Sequence, residues 1–132
     1  MPTALLLEED STCRSTLVAM LKSAGWKVLQ PETGTQALRQ AHLFKANLDL
    51  LIADLRTRGG AQVIKELVEA RPDLACLFVS GHPADYLNQW TLLPDNLLRG
   101  RRVRFLPKPF TVRALLETVS ALSEEAKVAG RA

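Results

Sequence analysis

The chain has 132 residues and a formal net charge of +3, with 47% hydrophobic residues. That size fits one domain whose core buries about two-thirds of the surface the unfolded chain exposes. No apolar run approaches the ~20 residues of a membrane span, the N-terminus lacks the basic and apolar regions of a signal peptide, and two cysteines with no CxxC or Cys/His pairing point to buried thiols, not to zinc or a disulfide. A single cytoplasmic domain is the expectation.

Strand and helix patterns alternate along the chain. Residues 4–7 form an apolar first strand. Ser11 or Thr12 stands where a cap is needed for a helix bearing Cys13, Leu17, Met20, Leu21 and Ala24, and Gly25 stops it. Residues 27–29 give a short second strand. Thr33 or Thr35 starts a helix with Ala37, Leu38, Ala41 and Phe44. Residues 48–53 form a third strand, apolar enough to be buried on both faces. Gly59 and Gly60 lead into a helix carrying Val63, Ile64, Leu67 and Val68, which Pro72 ends. A fourth strand covers 74–79, a short helix 84–90, and an irregular stretch with Pro94 covers 92–102. A fifth strand spans 103–106. The last helix shows Val112, Leu115, Leu116, Val119 and Leu122, with a short polar tail after it. Five strand–helix units with no internal linker predict an open, doubly wound parallel α/β sheet with helices on both faces.

Such sheets gather chemistry just beyond the carboxyl ends of their strands. Glu8, Glu9 and Asp10 follow the first strand, and Asp54 ends the third. Crowded carboxylates need a cation, and a hard ion such as Mg2+ suits them. The competing reading makes Glu8 to Asp10 a solvated acidic turn at a helix start, where acids suit the helix dipole. A second buried strand ending in Asp54 tips the balance to a site. Ser80 ends the fourth strand beside Gly81, and Lys108 follows the fifth beside Pro109. Each also has an ordinary turn reading. As a set they place acids, a hydroxyl and an ammonium on one sheet edge. With Mg2+ they would hold the three oxygens of a phosphoryl group, and Asp54 would be the nucleophile that receives it.

These runs together resemble the response-regulator receiver domain of two-component signalling over about residues 3 to 124. The resemblance rests on Leu5-Leu6-Leu7-Glu8-Glu9-Asp10, on Asp49-Leu50-Leu51-Ile52-Ala53-Asp54, on Val79-Ser80-Gly81, and on Phe105-Leu106-Pro107-Lys108-Pro109-Phe110. It implies a flavodoxin-like five-stranded sheet of order 2-1-3-4-5 and a receiver domain over 1–126, with 127–132 as the tail. It further implies Asp54 as phosphoacceptor, with Mg2+ on Glu8, Glu9, Asp54 and the backbone carbonyl of Arg56. Ser80 and Lys108 would act on the phosphoryl group, and Ser80 and Phe105 would form the switch. The implied donor is a phosphohistidine on a histidine kinase or histidine phosphotransfer protein. Such a domain is a signalling phosphoacceptor, not an enzyme in its own right, and signals through a partner protein. The family also suggests a homodimer through the fourth and fifth units.

Three features depart from the family pattern. Glu9 replaces the usual aspartate, lengthening the reach by about 1.5 Å, against the tight shell Mg2+ prefers. The loop from Leu55 to Gly60 is shorter than usual, and Arg56 and Arg58 add positive charge there to substitute in part for weak metal binding. The apolar connection with Tyr86, Leu87, Trp90, Leu92, Leu93, Leu97 and Leu98 resembles receivers attached to hybrid histidine kinases. It either covers the sheet, the preferred reading, or docks a partner. The run Arg99-Gly100-Arg101-Arg102-Val103-Arg104 is expected as a solvated loop, since no nucleic-acid-binding pattern accompanies it. The main alternative function is a degenerate receiver acting as a phosphorylation-independent interaction module. A flavodoxin-like cofactor binder is disfavoured by the acids after the first strand, and a phosphatase by Arg56 standing where a further acid is needed.

Overall fold

The computed structural model describes residues 1–43, 47–81 and 102–131, with side chains described as far as Ser123. The strands are β1 (Thr3–Leu7), β2 (Lys27–Leu29), β3 (Leu48–Asp54), β4 (Ala75–Ser80) and β5 (Val103–Pro107). The helices of the described residues are α1 (Ser11–Ser23), α2 (Gly34–Leu43), α3 (Gly60–Ala70) and α4 (Val112–Arg131). All pairings are parallel, and the sheet order is β2-β1-β3-β4-β5. The doubly wound sheet expected from the sequence is the one observed.

Strand periodicity explains the two-sided core. Successive side chains of a strand point to opposite faces. On one face Leu5, Leu7, Leu51, Ala53, Cys76 and Phe78 pack under α2 and α3, against Ala37, Ala41, Val63, Ile64 and Leu67. On the other, Leu6, Leu50, Ile52, Leu77 and Val79 pack under α1 and α4, against Leu17, Leu21, Leu115, Val119 and Leu122. Both faces are covered, so the central strands carry continuous apolar runs. Cys13 and Cys76 are free thiols; Cys76 is buried as expected, whereas Cys13 is only half-buried.

Two local expectations need correction, and one alternative is decided. Asp10, not Ser11 or Thr12, caps α1, because its carboxylate accepts the Cys13 N–H at 2.8 Å. At α2, Thr33 is the cap: its hydroxyl accepts the Gln36 N–H at 3.1 Å, and Gln36 reaches back to the Glu32 N–H. The last helix continues to Arg131. Glu124, Glu125, Ala126 and Lys127 are good helix formers, so residues 127–131 prolong the helix and do not form a tail. Phe44, the short helix at 84–90 with Tyr86, Leu87 and Trp90, and the stretch 92–101 with its leucines and Arg99 and Arg101 lie outside the described residues.

The order reverses at β1, which has β2 on one side and β3 on the other. A crevice opens at such a switch point, beyond the carboxyl ends of the strands. Glu8 and Asp54 emerge there.

Candidate functional site

Glu8 leaves the end of β1 and is buried. Its Oε1 accepts the Asp10 N–H at 3.1 Å, and its backbone carbonyl accepts from Arg14 Nη1 at 3.1 Å. With Asp10 capping α1, these bonds pin the turn from strand to helix. Asp54 is the last residue of β3 and is also buried.

The loop after Asp54 folds over the strand end. Its peptide groups close short turns: Thr57 N–H donates to the Asp54 carbonyl at 3.1 Å, and Gly60 N–H to the Thr57 carbonyl at 2.9 Å. Arg56 N–H donates to Asp54 Oδ1 at 2.7 Å. Gly59 has φ +71°, a left-handed conformation that only glycine adopts freely. Gly60 is needed for space: a Cβ there would lie 3.3 Å from Thr57 Cβ.

Lys108 joins the two acids. Its N–H donates to the Ser80 carbonyl at 2.9 Å, which fixes it beside the end of β4. Its Nζ donates to Asp54 Oδ2 at 2.5 Å and to Glu8 Oε2 at 2.7 Å. The Lys108–Pro109 peptide is cis. Burial pulls the lysine pKa down, but the hydrogen bonds and charges of Asp54 and Glu8 more than reverse this, and the net direction is up. The ammonium therefore stays charged between two carboxylates.

Ser80 ends β4 and is buried beside this cluster. Phe105 is half-buried on β5, with its ring tilted against Phe78 at a centroid distance of 5.5 Å.

Glu9 does not join Glu8 and Asp54 at Lys108. It is exposed, and its Oε1 accepts the Arg58 N–H at 2.7 Å. Among the described residues, no three acidic, histidine or cysteine side chains gather closely enough to hold a metal ion. Two carboxylates do meet, and each retains unused acceptor capacity, since a carboxylate has about four lone-pair sites. That pair fits a hard cation that keeps several waters.

Two neighbours of the site were not singled out from the sequence. Arg14 follows Glu8 by six residues and reaches back to its carbonyl. Cys13 was expected only as an apolar helix residue, yet its thiol lies near Glu8 and Lys108. Burial and the Glu8 charge push its pKa up. The spacing holds a signal for both: residues 13 and 14 fall in the first turn of a helix that starts directly after the acids.

A family model for the response regulator receiver domain matches residues 4–120. The chain belongs to that family. The sensor kinase CckA of Brucella abortus is 30% identical over 125 residues, covering 93% of this chain but only 13% of CckA. The receiver protein CpdR of the same organism is 29% identical over 120 residues, covering 89% of this chain and 93% of CpdR. Among solved structures, a receiver domain protein from Clostridium thermocellum has a TM-score of 0.81 at 22% identity, covering 97% of this chain and 98% of its own. That likeness shows the flavodoxin-like fold. Receiver domains of two-component systems are signalling phosphoacceptors, bind Mg2+, and work with histidine kinases or phosphotransfer proteins. No helix of the described residues is long and apolar enough to cross a membrane.

Proposed function

We propose that this chain, as a domain over residues 1–126, is a phosphorelay receiver that takes a phosphoryl group on Asp54 from a phosphohistidine. The observation that carries this reading is the buried Asp54 carboxylate at a strand end, 2.5 Å from the Lys108 ammonium that Glu8 shares. The donor is a histidine kinase or a histidine phosphotransfer protein, and the output passes to a partner protein. A cytoplasmic location goes with that chemistry, and a homodimer through the fourth and fifth units remains part of the proposal.

In the transfer, an Asp54 oxygen attacks phosphorus as the phosphorus–nitrogen bond breaks. The electron pair of that bond returns to the imidazole, and an acyl phosphate forms. Lys108 moves with one phosphoryl oxygen as its charge shifts from the carboxylate to the phosphate. The Ser80 hydroxyl donates to a second oxygen, which draws the end of β4 toward the site. Phe105, already against Phe78, follows into the space Ser80 leaves. Glu8, Glu9, Asp54 and the Arg56 carbonyl are the groups that would hold Mg2+, which would supply positive charge to the phosphoryl group in transfer.

A second reading, an interaction module that is never phosphorylated, draws support from Glu9 being engaged by the loop. Incubation with acetyl phosphate and Mg2+, followed by intact mass, separates the two. One added phosphoryl group, absent in Asp54→Asn, supports the phosphoacceptor. No adduct, even with a histidine kinase as donor, supports the interaction module.

A further inference from the structure

The carboxyl edge of the sheet carries Asp54, and the amino edge carries a cavity. Leu48 and Asp54 are the two ends of β3, so the two places lie about 20 Å apart along that strand. The cavity has a volume of about 520 Å³, within the ~300–1,000 Å³ of small-molecule sites. Trp26, Leu48, Leu50, Ala75 and Leu122 line it with buried apolar side chains. A few polar groups join them, chiefly Asp49, Arg71, Asp73 and Arg102. Mostly apolar walls with a few polar groups are the usual make-up of a ligand pocket.

Arg102 sets the chemistry of this cavity. It belongs to a run expected as a solvated loop, yet it is half-buried. Its backbone carbonyl accepts the Cys76 N–H at 2.9 Å, which holds it at the start of β5. Its Nη2 donates to the Asp73 carbonyl. Its Nη1 is buried and has no hydrogen-bond partner among the described residues. A guanidinium is always charged and offers only donors. A buried donor left unpaired is costly, and an acceptor placed on it removes that cost. The neighbouring charges are engaged differently. Arg71 Nε donates to Asp73 Oδ1 at 3.1 Å, and Asp49 Oδ2 accepts the Thr3 N–H at 2.8 Å. Both carboxylates are exposed, where water and salt screen them. The buried Arg102 nitrogen is not screened in that way.

We propose that the amino-edge cavity binds a small organic carboxylate, with its apolar body among Trp26, Leu50 and Leu122 and its carboxylate accepting from Arg102 Nη1. A phosphate suits the cavity less well. Its oxygens would need several donors, and most would face apolar walls. A carboxylate on a ring or short chain places one anionic end on the donor and buries the rest. The proposal stands apart from the phosphoacceptor reading of Asp54, because no residue is common to the two sites.

Amide shifts by NMR test this on the intact chain, with cinnamate as the probe and cinnamamide as its neutral counterpart. Cinnamate should shift the Leu48, Ala75, Arg102 and Leu122 amides. Cinnamamide should bind there at least about tenfold more weakly, the size of one charge-assisted hydrogen bond. Arg102→Met keeps an apolar stem of similar reach. It should weaken cinnamate by a similar factor and leave cinnamamide as it was. Equal affinity of the wild type for the two probes would overturn the proposal, and so would full cinnamate affinity in Arg102→Met. Shifts confined to the Asp54 and Lys108 amides would place the anion at the other edge and overturn it too, as would no shift at the cavity amides. The comparison of the two probes on the wild type decides the matter even where Arg102→Met does not fold.

Discussion

The two edges of the sheet use the same kinds of charged residue in opposite ways. At the amino edge, Arg71 pairs with Asp73 at 3.1 Å, and the Asp73 side chain is 72% exposed. Asp49 is also exposed there and accepts the Thr3 N–H at 2.8 Å. These groups finish turns and strand starts in water, where an ion pair contributes little. At the carboxyl edge, the Glu8, Asp54 and Lys108 side chains are only 4%, 11% and 21% exposed. Desolvation makes each of those charges costly on its own, and the cluster stands because one ammonium serves two carboxylates. A buried cluster of this kind is weak evidence for stability, because desolvation offsets much of its Coulombic gain.

The largest effect that sharpens this contrast is at Lys108. Lys108→Met strands two buried carboxylates and should cost about 3 kcal/mol in urea unfolding at neutral pH. The alkaline limb tests the same point. Burial lowers the Lys108 pKa, Asp54 and Glu8 raise it further than that, and the folded value ends above the ordinary one. Its contribution is therefore complete below about pH 10.4, the unfolded lysine value, and is lost as pH rises through the folded value. The wild type should lose stability relative to Lys108→Met across that range. Parallel pH curves for the two proteins would contradict the buried-cluster account.

The next effect should be equal at the two edges. Gly59 beside the site has φ +71°, and Gly25 after α1, at the far end, has φ +88°. A Cβ at either would meet nothing within 4 Å, so alanine should cost only backbone strain, about 1 kcal/mol at each. A much larger loss at Gly59, read as a fall in melting temperature, would mean that the loop stores more than this. The smallest effect is at Asp73. The Arg71 hydrogen bond lowers its pKa, so its contribution is present above about pH 3.9 and fades as pH falls through the folded value. Asp73→Asn should cost under about 0.5 kcal/mol, and a larger change in urea midpoint would erase the difference between the edges.

Most of the sheet is legible in the sequence, because both-face burial writes apolar runs such as Leu50 to Ala53 and turn residues close them. Lys108, Glu8 and Asp54 were legible as strand ends, and the structure brings them together. The sequence sets Glu9 beside Glu8 but does not show which partner its carboxylate meets. In the structure Glu9 accepts the Arg58 N–H, a contact 49 residues away along the chain that leaves no local pattern. The Asp10 cap is hard to single out for a different reason: Asp, Ser and Thr are all favoured caps, and three of them stand in a row. The end of α4 is hard to read because its polar residues resemble a tail, although their helix propensity is high.

The proposed phosphoryl acceptor is the buried carboxylate of Asp54. Borohydride reduction of the protein after reaction with acetyl phosphate and Mg2+ traps an acyl phosphate as the corresponding alcohol, and peptide mass spectrometry locates it. The account predicts homoserine at position 54 and at no other acidic residue. Homoserine elsewhere, or none in a protein that has gained a phosphoryl group, would contradict it.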